Sequence, residues 1–548
     1  MKRRNFLKIA GISSFVVNGH AMRPFSNTKM ARLMADCEDV EDRVLVLIQL
    51  KGGNDGVNTV IPFPQYDAYA DLRPVIKIPE TGPERFIKLD NTLPGADQVG
   101  LHPVMTGFKA LYDKGWLNIV QAVGYESLNQ SHFKSTDLWL SGGDGTPENS
   151  NIRSGWMGRA LNAMYPDVKG TPIPDMLYPL GIQIGDPYPS LGFHTETEHQ
   201  NSINLYGQDP DGFYSLVQTI GGAPLLNVPD SDYGDELRYI MGVEDSVDQY
   251  SQYITQAFNA GSNAIATYPQ TGLADQLKTV ARLIKGGCKT KIYLCSMGGF
   301  DTHGSQIPPE GDITKGRHAD LLRNLSDSLK VFYDDLDGLG LSDKVVSCTF
   351  SEFGRCAREN GSAGTDHGTL APMFIIGKAL SGGVHGTNVD LVNLAGDNQL
   401  QGQQFDYRQV FTTLLQDWLG ASNYVLEQTM FEGYVKMPVV GSAYVVAPDC
   451  YIATSVLDPA PGGRAMRMFP NPASHRAQVS FQSATSFDAR LSVHSLGGAL
   501  VSIQQVQVQA GANIYHVDVA QFPPGAYFVR LENTRSGKAD VVKLSVAR

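Results

Sequence analysis

Several runs of the chain are almost continuously apolar, and four of them end in a polar, glycine-rich loop. Val44 to Leu50 runs into Lys51-Gly52-Gly53-Asn54-Asp55-Gly56, and Leu117 to Val123 is followed by Asn129-Gln130-Ser131-His132. Lys291 to Met297 leads to Gly298-Gly299-Phe300-Asp301-Thr302-His303-Gly304, and Val345 to Phe350 leads to Ser351-Glu352-Phe353-Gly354-Arg355. Strands without alternation are those covered on both faces, the mark of parallel sheets. Amphipathic stretches lie between them, the clearest being His318 to Leu336, with Leu321, Leu322, Leu325, Leu329 and Phe332 at helical spacing. Alternation of this kind predicts a doubly wound, mainly parallel α/β sheet, with Pro372 to Ile376 as a further strand. Such sheets bind ligands outside the carboxyl ends of their strands, so four polar loops after four strands predict one convergent site.

The chain has 548 residues, too many for one ordinary core, and its net charge of -12 comes with no run of Lys and Arg. A nucleic-acid partner is not expected from that balance. None of the six cysteines forms a CxxC pair, which argues against a zinc ribbon or a thioredoxin-type motif. Cys288, Cys295 and Cys348 lie in or beside apolar runs and read as buried thiols, with a bridge at Cys348 or Cys356 left open.

The two ends differ from the middle. Met1-Lys2-Arg3-Arg4-Asn5-Phe6-Leu7-Lys8, an apolar stretch from Ile9 to Val17, and small residues at Gly19 and Ala21 have the three parts of an export signal over residues 1–21. The apolar part is too short to span a membrane, and no other segment reaches that length. After a Pro- and Gly-rich stretch at Pro459–Gly463, short alternating runs such as Arg490 to Val493, Leu500 to Val508 and Tyr515 to Val519 predict about seven antiparallel strands in a small all-β sandwich. The organisation expected is an α/β body over 41–435, a linker over 436–465 and a β-sandwich over 466–548. Residues 151–276, rich in Gly, Pro and Tyr, read as a cap or insertion over the site.

Asp55, Asp301, His303, Glu352, Asp366 and His367 are ligand types for a divalent metal such as zinc, manganese or magnesium. Asp301 and His303 sit two apart on one loop and suit one ion, whereas the adjacent Asp366 and His367 point more naturally to different places. Asn54, His132 and His318 are further candidates for the same site; the two histidines otherwise read as ordinary polar or half-buried residues, and Asn54 as accommodating an unusual backbone angle. Ser131 is either a nucleophile at a helix start or the cap of that helix. Arg355 either pairs with Glu352 or meets an anionic substrate.

These loops, with Thr365-Asp366-His367-Gly368, Arg317-His318-Ala319-Asp320-Leu321 and Phe405-Asp406-Tyr407-Arg408-Gln409-Val410, resemble the domain-of-unknown-function-1501 family over about residues 40 to 435. That family is similar to the alkaline phosphatase and sulfatase superfamily. The resemblance implies an alkaline phosphatase-like fold and metal-dependent hydrolysis of phosphate or sulfate esters. It implies Ser131 as nucleophile, Asp55, Asp301, His303 and His367 as ligands, and Arg355 as anion contact. The superfamily's late Asp-His pair is here Glu352-Phe353, and His367 from the next loop stands to supply the imidazole. A non-catalytic binding protein for a glycan or another protein, on a degenerate hydrolase fold, is the competing expectation.

The tail resembles the C-terminal sorting domain of the type IX secretion system through Phe469-Pro470-Asn471-Pro472, the Pro524-Gly525-Ala526-Tyr527-Phe528-Val529-Arg530-Leu531 segment and a terminal strand bearing Lys543. The competing reading of the tail is an immunoglobulin-like binding module. Arg3-Arg4-x-Phe6-Leu7-Lys8 resembles a twin-arginine signal. Together these imply the twin-arginine translocase and the type IX machinery as partners, with passage through the periplasm to the cell surface or the medium.

Overall fold

The computed structural model describes residues 15–17, 20–22, 38–149, 152–195, 200–205, 247, 249–451, 466–469, 473, 475–483, 486–495, 499–509, 511–534 and 539–546. It forms two compact units, Met1–Thr454 and Ser455–Arg548. Most of the export signal, the middle of the expected cap and residues 452–465 of the expected linker lie outside the described residues.

The first unit is built on a nine-stranded sheet. Its strands are β1 (Val44–Lys51), β2 (Leu117–Gly124), β3 (Gly181–Ile184), β4 (Ser202–Asn204), β5 (Ile292–Gly298), β6 (Val345–Phe350), β7 (Ala371–Ile376), β8 (Gly383–His385) and β9 (Phe405–Asp406). The spatial order is β8-β2-β7-β6-β1-β5-β3-β4, with β9 also beside β2. The central β1 is parallel to β5 on one side and to β6 on the other. It is buried on both faces because its residues alternate between two cores. Val44, Val46, Ile48 and Leu50 join one, and Leu45 and Leu47 join the other.

Helices cover both faces, as the alternating pattern requires. Against the first core lie α1 (Thr106–Asp113), α4 (Gly272–Lys285) and α5 (Arg317–Gly338). Against the second lie α2 (His132–Ser141), α3 (Trp156–Met164), α6 (Tyr407–Thr413) and α7 (Asn423–Thr429). In α5 the buried Leu322, Leu325, Leu329, Phe332 and Leu336 recur every three or four residues, so one stripe of a long helix packs on the sheet.

Pro372 to Ile376 is the further strand expected, and β7 runs antiparallel to both neighbours, β6 and β2. The chain leaves β6 at its carboxyl edge, stays there through residues 351–370 without a crossover helix, and must therefore run back. The expected linker begins too early. Met437, Val439, Val440 and Val446 are buried in the first unit, with Val446 N donating to Asp417 O at 2.9 Å. Of the cysteines, Cys288, Cys295, Cys348 and Cys356 are buried free thiols, and Cys450 is disulfide-bonded.

The second unit holds two antiparallel sheets. One consists of Arg467–Phe469, Arg476–Ser483 and Gly511–Asp518. The other consists of Leu500–Val508, Phe487–Ser495, Gly525–Asn533 and Ala539–Val546, in that order. Inward residues Val479, Leu491, Val493, Val529, Leu531 and Leu544 form its own core, as the period-two alternation predicts. Among the described residues no helix is long and apolar enough to cross a membrane.

Leu329 is fully buried between α5 and the sheet. Leu329→Ala is expected to lower the unfolding free energy of the first unit by about 2–5 kcal/mol, measured by urea denaturation.

Candidate metal centre

The carboxyl edge of the sheet gathers four loops, after β1, β2, β5 and β6. Their close approach depends on Gly52, whose φ of 121° lies in the left-handed region and where a Cβ would stand 2.2 Å from Asp301 N. The loop after β6 returns to β7 at this same edge, so Glu352, Arg355, Asp366 and His367 are all delivered there.

His132, Asp301 and His367 offer ligand atoms within 4.8 Å of one another. The Nε2 atoms of His132 and His367 each lie 3.6 Å from Asp301 Oδ1. Both Nε2 atoms are buried without a hydrogen-bond partner. The other nitrogen of each ring is fixed. His367 Nδ1 is 2.9 Å from the Gln130 carbonyl oxygen, which can only accept, so Nδ1 carries the proton and Nε2 presents a lone pair. His132 Nδ1 is 2.7 Å from Glu352 Oε1, which also accepts from Gly52 N at 2.8 Å. Imidazoles held at Nδ1 by a carboxylate or a carbonyl, with Nε2 free, are the usual outer support of metal-binding histidines. The residues present therefore fit a divalent cation held by two imidazoles and a carboxylate.

Phe353 packs against both rings, 4.8 Å from each centroid. His303 adds a third imidazole, its Nε2 3.2 Å from Asp301 Oδ1 and its Nδ1 3.1 Å from Asp366 Oδ1. Asp366 is held in turn by Asn360 Nδ2 at 3.0 Å.

The charges are set by these neighbours. The hydrogen bond to Glu352 raises the His132 pKa against the opposing effect of burial. Burial lowers that of His367 against the opposing Gln130 hydrogen bond, and the Arg355 charge adds to the lowering. Burial works to raise the Asp301 carboxyl, but the Arg355 hydrogen bond and charge outweigh it and hold it below the ordinary value.

The other expected site residues are placed differently. Arg355 is buried and each of its guanidinium nitrogens is bonded: Nε to Gly53 O at 2.8 Å, Nη1 to Thr365 O at 2.9 Å, and Nη2 to Gly52 O, Phe300 O and Asp301 Oδ1. It is a pin between loops, and the expectation that it meets a substrate anion is corrected. Asp55 is likewise not among the cluster's ligands. It is fully buried, its Oδ2 accepting from Arg73 Nη1 at 2.7 Å and Gln306 Nε2 at 2.6 Å. Asn54 and His318 belong to that same buried network, with His318 Nε2 3.4 Å from Asn54 Oδ1. Glu352 and Asp366 act one step out, as acceptors for His132 and His303. Ser131 is exposed at the N-cap of α2, and its side chain makes no capping bond. Sequence reading misses Arg73 and the Gln130 carbonyl, because neither the buried ion pair nor a backbone acceptor leaves a motif.

Comparison with known proteins agrees with the two units. Residues 255–417 match the model described as Protein of unknown function (DUF1501), and residues 467–545 match the Secretion system C-terminal sorting domain. The α/β unit is thus similar to the DUF1501 family over the matched part, and the β unit is a sorting domain of the type IX kind, which marks the chain for secretion to the cell surface or the medium. No curated protein matches the chain. Similar solved structures include a protein in the alkaline phosphatase superfamily from Vibrio parahaemolyticus, at TM-score 0.30 and 10% identity, covering 92% of this chain and 82% of that one. The lipoteichoic acid synthase of Listeria monocytogenes scores 0.24 at 8% identity, covering 65% and 72%. A Bacteroides thetaiotaomicron structure from work on glycosaminoglycan metabolism scores 0.23 at 9% identity, covering 92% and 89%.

Burial works to raise the Asp55 carboxyl, but the Arg73 charge and hydrogen bond outweigh it, and its pKa lies at about 2 against an ordinary 3.8. A depressed folded-state pKa contributes stability above the unfolded value that is lost as pH falls through the folded one. Asp55→Asn leaves Arg73 buried without a counter-charge and is expected to cost about 3–5 kcal/mol at neutral pH. The gap between variant and wild type should narrow as pH falls from about 4 towards 2, measured by urea unfolding across that range.

Proposed function

We propose that the protein is an exported metal-dependent hydrolase of phosphate or sulfate esters. The observation that carries this reading is the pair of buried, unpartnered Nε2 atoms, each fixed through Nδ1 and turned towards one carboxylate. An ordinary structural histidine spends both nitrogens. His132, Asp301 and His367 would hold the ion, with His303 beside Asp301 as a fourth group. Zinc suits two imidazoles and a carboxylate, and manganese is the next choice. A bound divalent cation supplies Lewis acidity towards an ester oxygen and eases deprotonation of a nearby hydroxyl.

Ser131 would be the nucleophile. It sits one residue before His132, its hydroxyl does not cap α2, and the free N–H groups of the helix start favour a developing negative charge. Glu352 and the Gln130 carbonyl keep both imidazoles in the tautomer that presents Nε2. Phe353 walls the rings on one side and excludes water from them. Delivery runs through the twin-arginine translocase and the periplasm, and then through the type IX machinery.

The competing reading, a non-catalytic binding protein on the same fold, is favoured by the carboxylates of Asp55, Glu352 and Asp366, which already have partners.

Protein purified without chelators or affinity metals is expected to carry about one equivalent of a transition metal, read by elemental analysis and lost in Asp301→Ala and His367→Ala. Glu352→Gln should weaken metal affinity by about 10- to 100-fold. Ser131→Ala should keep the metal and the melting temperature and lose ester turnover. A chain that stays metal-free after incubation with zinc and manganese sinks the hydrolase reading and leaves the binding protein.

A further inference from the structure

Of the three imidazoles that face Asp301, His303 has the most exposed side chain, at 46% against 31% for His132 and 25% for His367. A ring so open to water serves as a ligand only if something holds it to the centre. We propose that Asn360 is a positioning residue of the centre, fixing both the main chain and the ring of His303 so that its Nε2 stays on the ion. The proposal rests on the metal reading above and gives its fourth group a support.

The backbone brings the two residues together. His303 lies in the loop after β5 and Asn360 in the connection from β6 to β7, and these segments pair. Ser305 N donates to Ser362 O at 3.0 Å, Gln306 N to Ala363 O at 2.9 Å, and Thr365 N to Thr302 O at 3.1 Å. Ser305 and Ala363 each have a φ of 52°, a left-handed conformation uncommon outside glycine. Gly364 abuts the histidine's main chain, where a Cβ would stand 2.4 Å from the His303 carbonyl carbon.

The Asn360 amide then closes a ring of bonds. Its Nδ2 donates to His303 O at 2.8 Å and to Asp366 Oδ1 at 3.0 Å. Asp366 Oδ1 is in turn 3.1 Å from His303 Nδ1. The orientation of the amide is dictated by its partners. The carbonyl and the carboxylate can only accept, and Asn360 Oδ1 accepts from Ser362 N at 2.9 Å. One side chain thus sets where the His303 backbone lies and, through Asp366, which way the ring turns. With Nδ1 on Asp366, Nε2 faces Asp301 Oδ1 at 3.2 Å, the oxygen that the other two imidazoles also face. The ring centroid lies 4.6 Å from that of His367. A cation bound there takes the place of a proton on Nε2. Nδ1 keeps its carboxylate, the outer support usual for a metal-binding histidine, and Asn360 holds that support in place.

Titrations of the full chain, stripped with a chelator, test this with cobalt(II), followed by its visible absorption, and with zinc, by competition with a chromophoric chelator. Asn360→Ala should weaken both affinities by about tenfold, the lower end of what loss of an outer partner costs. It should also change the cobalt spectrum in the same direction as His303→Ala. Asn360→Ser keeps an acceptor for Ser362 N but is too short to bridge His303 O and Asp366, and should lose as much. Added to His303→Ala, Asn360→Ala should cost no further affinity. A role confined to the shape of the loop predicts the same loss with and without His303, and that result overturns the proposal. Wild-type affinity in Asn360→Ala or Asn360→Ser overturns it as well. In either case the wild type still binds metal, so the centre stands and only the Asn360 assignment falls. A wild type that binds neither ion overturns the metal reading and the assignment with it.

Discussion

The guanidinium of Arg355 holds the carboxyl edge of the sheet together. Its nitrogens reach backbone carbonyls of three separate loops, after β1, β5 and β6, and the carboxylate of Asp301. Each loop alone would leave buried carbonyls without donors, which folding does not tolerate. With the arginine in place, the glycine loop of β1 comes close enough to touch Asp301 N, and Asp301 is held in the orientation that faces His132 and His367. A buried cation of this kind is costly to desolvate and costly to leave unpaired. Its value lies in fixing one arrangement of loops, and the grouping of His132, Asp301 and His367 is a consequence of that arrangement.

How much of this is legible in the sequence follows from what each feature depends on. The parallel centre of the sheet is readable because burial on both faces forces unbroken apolar runs, as in Val44 to Leu50. The convergence of loops is readable because strand ends collect polar residues in any doubly wound sheet. The direction of β7 is not readable, since a buried strand has the same composition whichever way it runs. Its direction is set by the missing helix in residues 351–370, a property of the connection rather than of the strand. Within the site, residue types that bind metals are visible, but their layering is not. Asp55 and Asp301 both follow strand ends and both look like ligands. They part because Arg73, from a distant helical turn, takes one of them into a buried pair.

The antiparallel return has a chemical effect. A crossover helix after β6 would carry the chain away from the carboxyl edge, and one strand end would contribute one short loop. Staying at that edge lets a single stretch supply Glu352 to orient His132, Arg355 to hold Asp301, Asp366 to orient His303, and His367 itself. Phe353, next to Glu352, lines the His132 and His367 rings.

The geometry of the three inner groups bears on what they are for. At 3.6 Å, the contacts between Asp301 Oδ1 and the two Nε2 atoms are too long for hydrogen bonds. The His367 ring, with its proton on Nδ1, turns a lone pair towards Asp301 and has no hydrogen there to donate, so no hydrogen bond closes that gap. His367 is held at Nδ1 by Gln130, His132 by Glu352, and Asp301 by Arg355, whose Nη2 bonds the same Oδ1 that faces the two rings. Three independent restraints keep three electron-rich atoms apart at a distance that suits a shared cation better than it suits any pair of them. The surrounding hydrogen bonds hold that arrangement, and a positive ion at the centre would give its lone pairs a partner, which is the structural reason behind the proposal of a metal site at this edge.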